Sequence, residues 1–446
     1  MAALIVIALI LGMPLVPRCL RVCLLLPLAV FQIYPPWLVV GQVPVPLALI
    51  AAYAFWPELL KELRFLLAVK PVRILLGITV VTVVSFLWSV NVRLGLVSLN
   101  AFLTFIVVFA GVASQARSDH RWITRGMTLM YCSTLAFAAS VVAFRLAPEA
   151  KLLFLKTNLA TWFISSNTLT GLFLDDPNNV FDPEKSGGFA FVNGNAASTF
   201  LGVVAMTALG TGRAYRKFTH VLLGLMIIAA VPFTGSKSGL VLIAPMIGMF
   251  ALMKISRKDR ATVLLLALQG TLLLFLIYKL FGNSSSDISG PALGGQLSYA
   301  ADTRMRIWIF ALQMFIENPI LGQGFGGWQI EFPQYARFAG VPRDLPPHNT
   351  FIYLWSQSGL IALITGCVFA VLLLSESVKK MSSGDRESSG LGAMLALAYM
   401  WLLVQGFGEN QGLIGDPHMQ PVIAAALAIF SVRVRARARL LKEKYV

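Results

Sequence analysis

Charge is what this sequence has least of. Only 13% of its 446 residues are charged, where a soluble protein carries roughly a quarter. Lysine and arginine total 36 against 20 aspartates and glutamates, and histidine and cysteine number four each. Cys19, Cys23, Cys132 and Cys367 lie in or beside apolar runs, and no external segment holds a pair, so no disulfide framework is expected. Cys19 and Cys23 lack further ligands nearby, which argues against a metal site. The apolar N-terminus has no basic leader and no clear small-residue cleavage site, so it reads as a retained span. A Gly-Lys-Ser phosphate loop is also missing. The turn Thr234-Gly235-Ser236-Lys237-Ser238-Gly239 is similar only on the surface, and no strand precedes it, so nucleotide binding is excluded there.

What is present is hydrophobic sequence: 57% of the residues, with a mean hydropathy of +0.76. Apolar runs long enough to cross about 30 Å of hydrocarbon recur along the chain. Lipid leaves no partner for unpaired backbone groups, so the spans must be helices. The expected fold class is an all-α polytopic membrane protein. Basic residues gather in short loops near Lys61 to Arg73, Arg117 to Arg125, Arg213 to Lys217, Lys254 to Arg260 and Lys379 to Arg386, and in the tail after Arg433. Placing all of them inside gives one consistent alternation. The net charge of +16 is thereby assigned to anionic lipid headgroups and not to nucleic acid.

The resulting spans are 72–90, 95–114, 124–147, 189–210, 218–233, 238–255, 261–281, 351–375, 391–409 and 418–432. Two or three shorter ones precede residue 58, interrupted by Arg18 and Arg21. The total is about 12, with the C-terminus inside and the whole chain, 1–446, forming one transmembrane domain. Two long external segments remain, 148–188 and 282–350, and loops of that length usually carry function.

The second segment contains a helical pattern from Asp302 to Ile316. Ile307, Phe310, Ala311, Met314 and Phe315 make one buried face, Asp302 or Thr303 is placed to cap the start, and Pro319 follows the end. Arg304 projects near the middle of that face, whereas Arg306 points elsewhere. A buried cation needs an anion, either a bound phosphate or an Asp/Glu partner. His348 follows Pro346-Pro347 where the next span opens. A helix N-terminus disfavours a protonated imidazole, and a general base must be neutral. The alternative is a capping or interfacial histidine. Lys237 sits in a tight external turn ahead of a helix, an anion site or an ordinary interfacial lysine. His120 and His220 fall in basic inner loops and receive no role. Asp175, Asp176, Asp182 and Glu184 lack the spacing of a calcium loop. Glu409, near the outer end of a span, is a possible acid or base, although span ends tolerate carboxylates.

Together these external pieces resemble the O-antigen ligase and polymerase family. The resemblance rests on Arg304 four residues before Trp308, followed by Asn318-Pro319-Ile320-Leu321-Gly322-Gln323-Gly324-Phe325-Gly326; on His348-Asn349 opening a span that reaches Gly359; on the Thr234–Lys237 turn; and on Asn193-Gly194-Asn195. It covers 189–360 and implies a C-type glycosyltransferase fold in a bacterial inner membrane, with 282–350 as a periplasmic loop that carries catalytic elements. The implied reaction is an inverting, metal-independent transfer needing no cofactor. The implied donor is an undecaprenyl-diphosphate-linked glycan, and the acceptor a glycan or lipid A core. By position His348 would be the catalytic residue. Arg304, Lys237 and Arg306 would bind diphosphate, with Asn193, Asn195 and Asn349 as weaker substrate contacts. Two departures stand out: the turn position usually arginine is Lys237, and the position nine after the histidine, often glutamate, is Gln357. The competing class is a transporter without transferase activity.

Overall fold

The structure is a computed structural model describing residues 12–40, 43–89, 92–164, 169, 172, 182–252, 293–341 and 345–444. Its first part comprises helices α1 (Arg18–Phe31), α2 (Leu47–Tyr53), α3 (Trp56–Ala68), α4 (Lys70–Val84), α5 (Val92–Ser118), α6 (His120–Leu146) and α7 (Pro148–Leu155). Then come α8 (Gly194–Tyr215), α9 (Phe218–Ala229), α10 (Lys237–Leu252), α11 (Leu293–Glu317) and α12 (Gly327–Ala339). The last three are α13 (Thr350–Met381), α14 (Arg386–Gly406) and α15 (Met419–Lys444). One two-residue antiparallel pairing, β1 (Val39–Val40) with β2 (Val43–Pro44), is the sole sheet among the described residues.

Among the described residues four stretches are long and apolar enough to cross a membrane: Lys70–Trp88, Arg121–Leu146, Thr350–Met381 and Arg386–Gly406. Shorter apolar helices cover Phe102–Ser118, Phe218–Thr234, Lys237–Ala251 and Met419–Arg433. The chain is therefore a multi-pass helical membrane protein. The expected span 261–281 and Asp175 to Asn179 of the acidic run lie outside the described residues.

The centre of the bundle is α8, a helix of small residues (Gly, Ala, Ser, Thr) that packs along α14. Small side chains let helix backbones approach closely where the apolar effect gives little drive. Around them the core holds Phe200, Val203, Tyr399, Trp401 and Phe109, all buried. His220 is corrected by the structure. It lies in the first turns of α9, fully buried, with its ring nitrogens 2.8 Å from Thr128 Oγ1 and 3.1 Å from Thr211 Oγ1. It is a satisfied core histidine and not a loop residue.

The helices α11 and α12 build a small core of their own from Ile307, Ala311 and Met314 against Trp328, Phe332 and Trp355. Trp328 and Phe332 stack at 4.9 Å. Burying one such side chain stabilises by roughly 1.5–3 kcal/mol. One expectation is corrected here. The helix around Arg304 starts by Leu293, so positions 302 and 303 lie inside it and not at its start. The Gly/Pro-rich stretch after Pro319 contains the helix α12, with Pro333 inside it.

The turn between α11 and α12 docks into a break in α13. Gly359 has φ 78° and ψ −174° within an otherwise helical run. A Cβ there would lie 2.0 Å from the Ile320 carbonyl oxygen, so only glycine fits. The opened backbone accepts the turn: Leu360 N–H donates to Ile320 O (3.0 Å) and Gln323 N–H to Ser356 O (2.9 Å). Gln357 Oε1 accepts from Gly326 N–H at 2.6 Å, and its amide donates to Gln329 at 3.3 Å. Gln357 thus fastens the turn to the span.

The loop between α14 and α15 closes the same face. Asp416 caps α15 by accepting from His418 N–H (2.9 Å) and Met419 N–H (3.0 Å). The His418 ring packs on Phe191 at 4.3 Å and stands 3.8 Å from the Asp416 carboxylate. Burial pushes the Asp416 carboxyl up to about 7, against its backbone donors, and pushes the His418 imidazole down to about 3. The two shifts have opposite signs in their effect on stability. The raised Asp416 loses stability as pH rises from about 4 to about 7, and the lowered His418 loses it as pH falls from about 6.5 towards 3. Between about 4 and 6.5 the pair holds one proton in both folded and unfolded chains, so the slopes cancel. Asp416→Asn keeps the cap and removes the compensation. In a thermal unfolding series from pH 7 to pH 5, the variant is expected to lose up to about 1.4 kcal/mol per pH unit below 6.5 relative to wild type. Parallel wild-type and variant curves would refute the pairing.

Candidate functional site

Several helix ends meet on one face of the bundle, and each is brought there by its own cap. Asn193 caps α8 through Asn195 N–H (2.8 Å). Asn349 caps α13 through Phe351 N–H (2.9 Å) and Ile352 N–H (3.2 Å). At α10, Ser236 Oγ accepts from Gly239 N–H (3.3 Å). The C-terminus of α14 arrives between them and continues into Glu409. Four positive helix ends, counting α15, therefore open on this face, a setting that favours anions.

Glu409 is the hub. Its Oε1 accepts from Arg304 Nη2 at 3.0 Å and from Asn195 Nδ2 at 2.7 Å. Its Oε2 lies 3.4 Å from His348 Nδ1. That last approach is within ion-pair reach but is misaligned, and Nδ1 is buried without a formed hydrogen bond. One carboxylate, with only 10% of its side chain exposed, thus joins α8, α11, α13 and α14. The ion-pair alternative for Arg304 is the one the structure takes. Its side chain remains 39% exposed, so the guanidinium keeps donors directed away from Glu409.

His348 precedes the α13 cap with φ 49°, a left-handed backbone uncommon for a residue other than glycine. The segment is held there from outside: Trp308 Nε1 donates to Pro347 O at 3.0 Å and Trp328 Nε1 to Leu345 O at 3.0 Å. Such backbone strain, kept by surrounding contacts, is frequent at functional positions. The Arg304 and Trp308 spacing has a physical reason. Four residues apart on α11 they share a face, one reaching Glu409 and the other the histidine's own loop.

Lys237 is the exposed first residue of α10. Its neighbours are fixed by a buried chain in which Ser238 Oγ donates to Gln405 Oε1 (2.7 Å) and Gln405 Nε2 donates to Ser198 Oγ (3.2 Å). Gln405 lies one turn before Glu409, so the lysine turn is tied to the same helix end. Asn193 and Asn349 spend their side-chain oxygens on caps, while Asn195 holds Glu409. Arg306 is not brought to the site. Nη1 donates to Ala339 O at 2.9 Å, at the end of α12.

Glu409 is the residue that sequence reasoning weighed and left out of its site. Its position at the end of a span fits a solvated carboxylate equally well, and only the fold shows an arginine and a histidine reaching it from distant segments. A second feature was unread. Met305, Ile309, Leu312 and Ile316 form an exposed apolar stripe on α11, opposite its core face. Among the described residues no group of three His, Cys, Asp or Glu side chains is placed to hold a metal ion.

No curated protein matches the chain. The family model described as O-antigen ligase matches residues 221–365, roughly a third of the sequence, and this segment contains Lys237, Arg304, His348 and the Gly322–Gly359 docking. Arg304 and His348 thus both lie within the segment that is similar to the O-antigen ligase family, while Glu409, which they meet, and Asn195, which holds Glu409, lie outside it.

Proposed function

We propose that this protein is an inner-membrane glycosyltransferase that moves a glycan from an undecaprenyl-diphosphate carrier to an acceptor hydroxyl on the periplasmic side. The observation that carries the reading is the convergence of Arg304 and His348 on Glu409, at a face where helix N-termini gather. The donor brings its own leaving group, so the protein has two tasks. It removes a proton from the acceptor and it stabilises the departing diphosphate. His348 Nε2 takes the acceptor proton while Glu409 steadies the ring from the Nδ1 side. The acceptor oxygen attacks the anomeric carbon, the bond from that carbon to the phosphate oxygen breaks, and configuration inverts. Arg304 and Lys237 receive the diphosphate charge, with Asn195, Asn193 and Asn349 setting the helix ends around it. Arg306 has no part in this scheme. The exposed apolar stripe on α11 suits the lipid end of the carrier. The acceptor is a growing glycan or lipid A core, and we favour a polymerase or exopolysaccharide role, since Lys237 and Gln357 depart from the pattern usual in the ligases.

In extension assays with purified protein and a lipid-linked oligosaccharide, His348→Ala is expected to lower turnover by roughly 10² to 10⁴-fold with donor binding retained. Arg304→Ala weakens donor binding and turnover together, and Arg304→Lys restores little if the phosphate contact is bidentate. Lys237→Arg is tolerated and Lys237→Ala is not. Wild-type turnover in His348→Ala removes the base, and unchanged donor affinity in both alanine variants removes the phosphate site. Transport without glycosidic bond formation would favour the transporter class.

Neither task requires a divalent ion. Full extension activity is expected after chelator treatment, and a loss restored by Mg²⁺ or Mn²⁺ would overturn this part of the scheme.

Orientation has its own test. Cysteines introduced at Gly340→Cys, on the site side of α13, and Gly384→Cys, after its far end, should react with an impermeant thiol reagent from opposite sides of the membrane. Labelling from the same side breaks the topology.

A further inference from the structure

Helix α3 inverts the usual polarity of a surface helix. It turns its carboxylates inward: Glu58 pairs with Arg18 (3.2 Å) at the start of α1, and Glu62 pairs with Arg117 (2.7 Å) at the end of α5. Arg117 also lies over the Phe65 ring at 4.0 Å. Outward it presents Trp56, Leu60, Leu63 and Leu67, which are 44%, 63%, 49% and 47% exposed. Their spacing of i, i+4, i+7 and i+11 makes one continuous apolar stripe. Lys61 and Arg64 project along one flank of it, and Lys70 and Arg73 follow at the start of α4, all four exposed. None of the four pairs with a carboxylate among the described residues.

The placement of α3 follows from its contacts with α5. Phe55, just before α3, packs on Gly111, and Phe65 stacks on Phe109 at 6.0 Å. Phe65 also lies against Arg117, and Glu62 pairs with it, so the helix is held against the last turns of α5. It lies at the ends of α1 and α5, on the face opposite Glu409.

We propose that α3 is an in-plane anchor, with its leucine stripe in the acyl region of the leaflet on that face and Lys61, Arg64, Lys70 and Arg73 bound to anionic phospholipid headgroups. A helix with an apolar stripe, a tryptophan and flanking basic residues settles about 5–10 Å into the headgroup boundary. Each cation near an anionic surface adds to the attraction. The ion pairs of the two buried carboxylates with exposed arginines fix the rotation of the helix, so that its stripe faces outward independently of the lipid. The occupant is lipid and not a protein partner because the exposed surface combines an aliphatic strip with unpaired positive charge along one flank, which complements a phosphate layer over acyl chains.

The test uses the full chain in nanodiscs of phosphatidylethanolamine and phosphatidylglycerol. Cys19, Cys132 and Cys367 are replaced by serine. Nitroxides are attached at Leu60→Cys, Leu63→Cys, Leu67→Cys, Lys61→Cys and Arg64→Cys. The leucine positions are expected to be more accessible to oxygen than to a nickel chelate, and the two basic positions to show the reverse. Nickel access at the leucine sites, or protection of them from both reagents by a bound protein, overturns the anchor. In parallel, lipid retained through purification is expected to be enriched in phosphatidylglycerol over the bulk ratio. The combined K61Q, R64Q, K70Q and R73Q variant should lose part of that enrichment, and retention identical to wild type overturns the headgroup assignment.

Discussion

The site depends on one partly enclosed carboxylate. Glu409 draws a guanidinium from α11, an amide from α8 and an imidazole edge from α13 to the end of α14. A carboxylate in such surroundings is costly unless its oxygens are met by donors. The groups that meet it come from three elements distant in sequence. Satisfying Glu409 and assembling the site are therefore the same event, and removal of the carboxylate would leave Arg304 among positive helix ends with no counter-charge.

The supporting structure is built to hold that meeting still. The turn after α11 is locked into the break at Gly359, and Gln357 fastens it from below. This gives the glutamine a role that the absence of a carboxylate does not impair. It accepts a backbone N–H and donates to a neighbouring amide, which an ionised glutamate at the same place would do only in part, having no donor. Trp308 and Trp328 reach across from α11 and α12 to the carbonyls ahead of His348, so the aromatic core of these two helices is also the frame of the histidine loop.

Much of this was legible in the sequence, for reasons that differ by element. The long helices follow from apolar runs, and α4, α6, α13 and α14 fall where the runs predict. His348 and Arg304 were readable because an ionisable group next to an apolar pattern is conspicuous. The helix α12 was not readable, since Gly326, Gly327 and Pro333 are the residues that normally mark a loop. The start of α11 was misplaced because Asp302 and Thr303 make a plausible cap, and nothing local reveals that the helix already runs through Leu293–Ala301. Arg306 differs from Arg304 by two positions, which on a helix is enough to face another element. Glu409 needed the fold itself, because its partners stand 61, 105 and 214 residues away.

The balance of charge at the site follows from the direction of the helices. The N-termini of α8, α10, α13 and α15 all open on this face, and each contributes partial positive charge near its first turn. Arg304 and Lys237 add two full charges to the same region, against one carboxylate at the hub. Glu409 can therefore position Arg304 without neutralising the face as a whole. Under the proposed function, an incoming diphosphate would meet a guanidinium already oriented, an exposed ammonium and helix ends already fixed by their own caps. The reorganisation that a solvent shell would need has been met in folding, which is the condition under which such groups stabilise a departing anion most strongly.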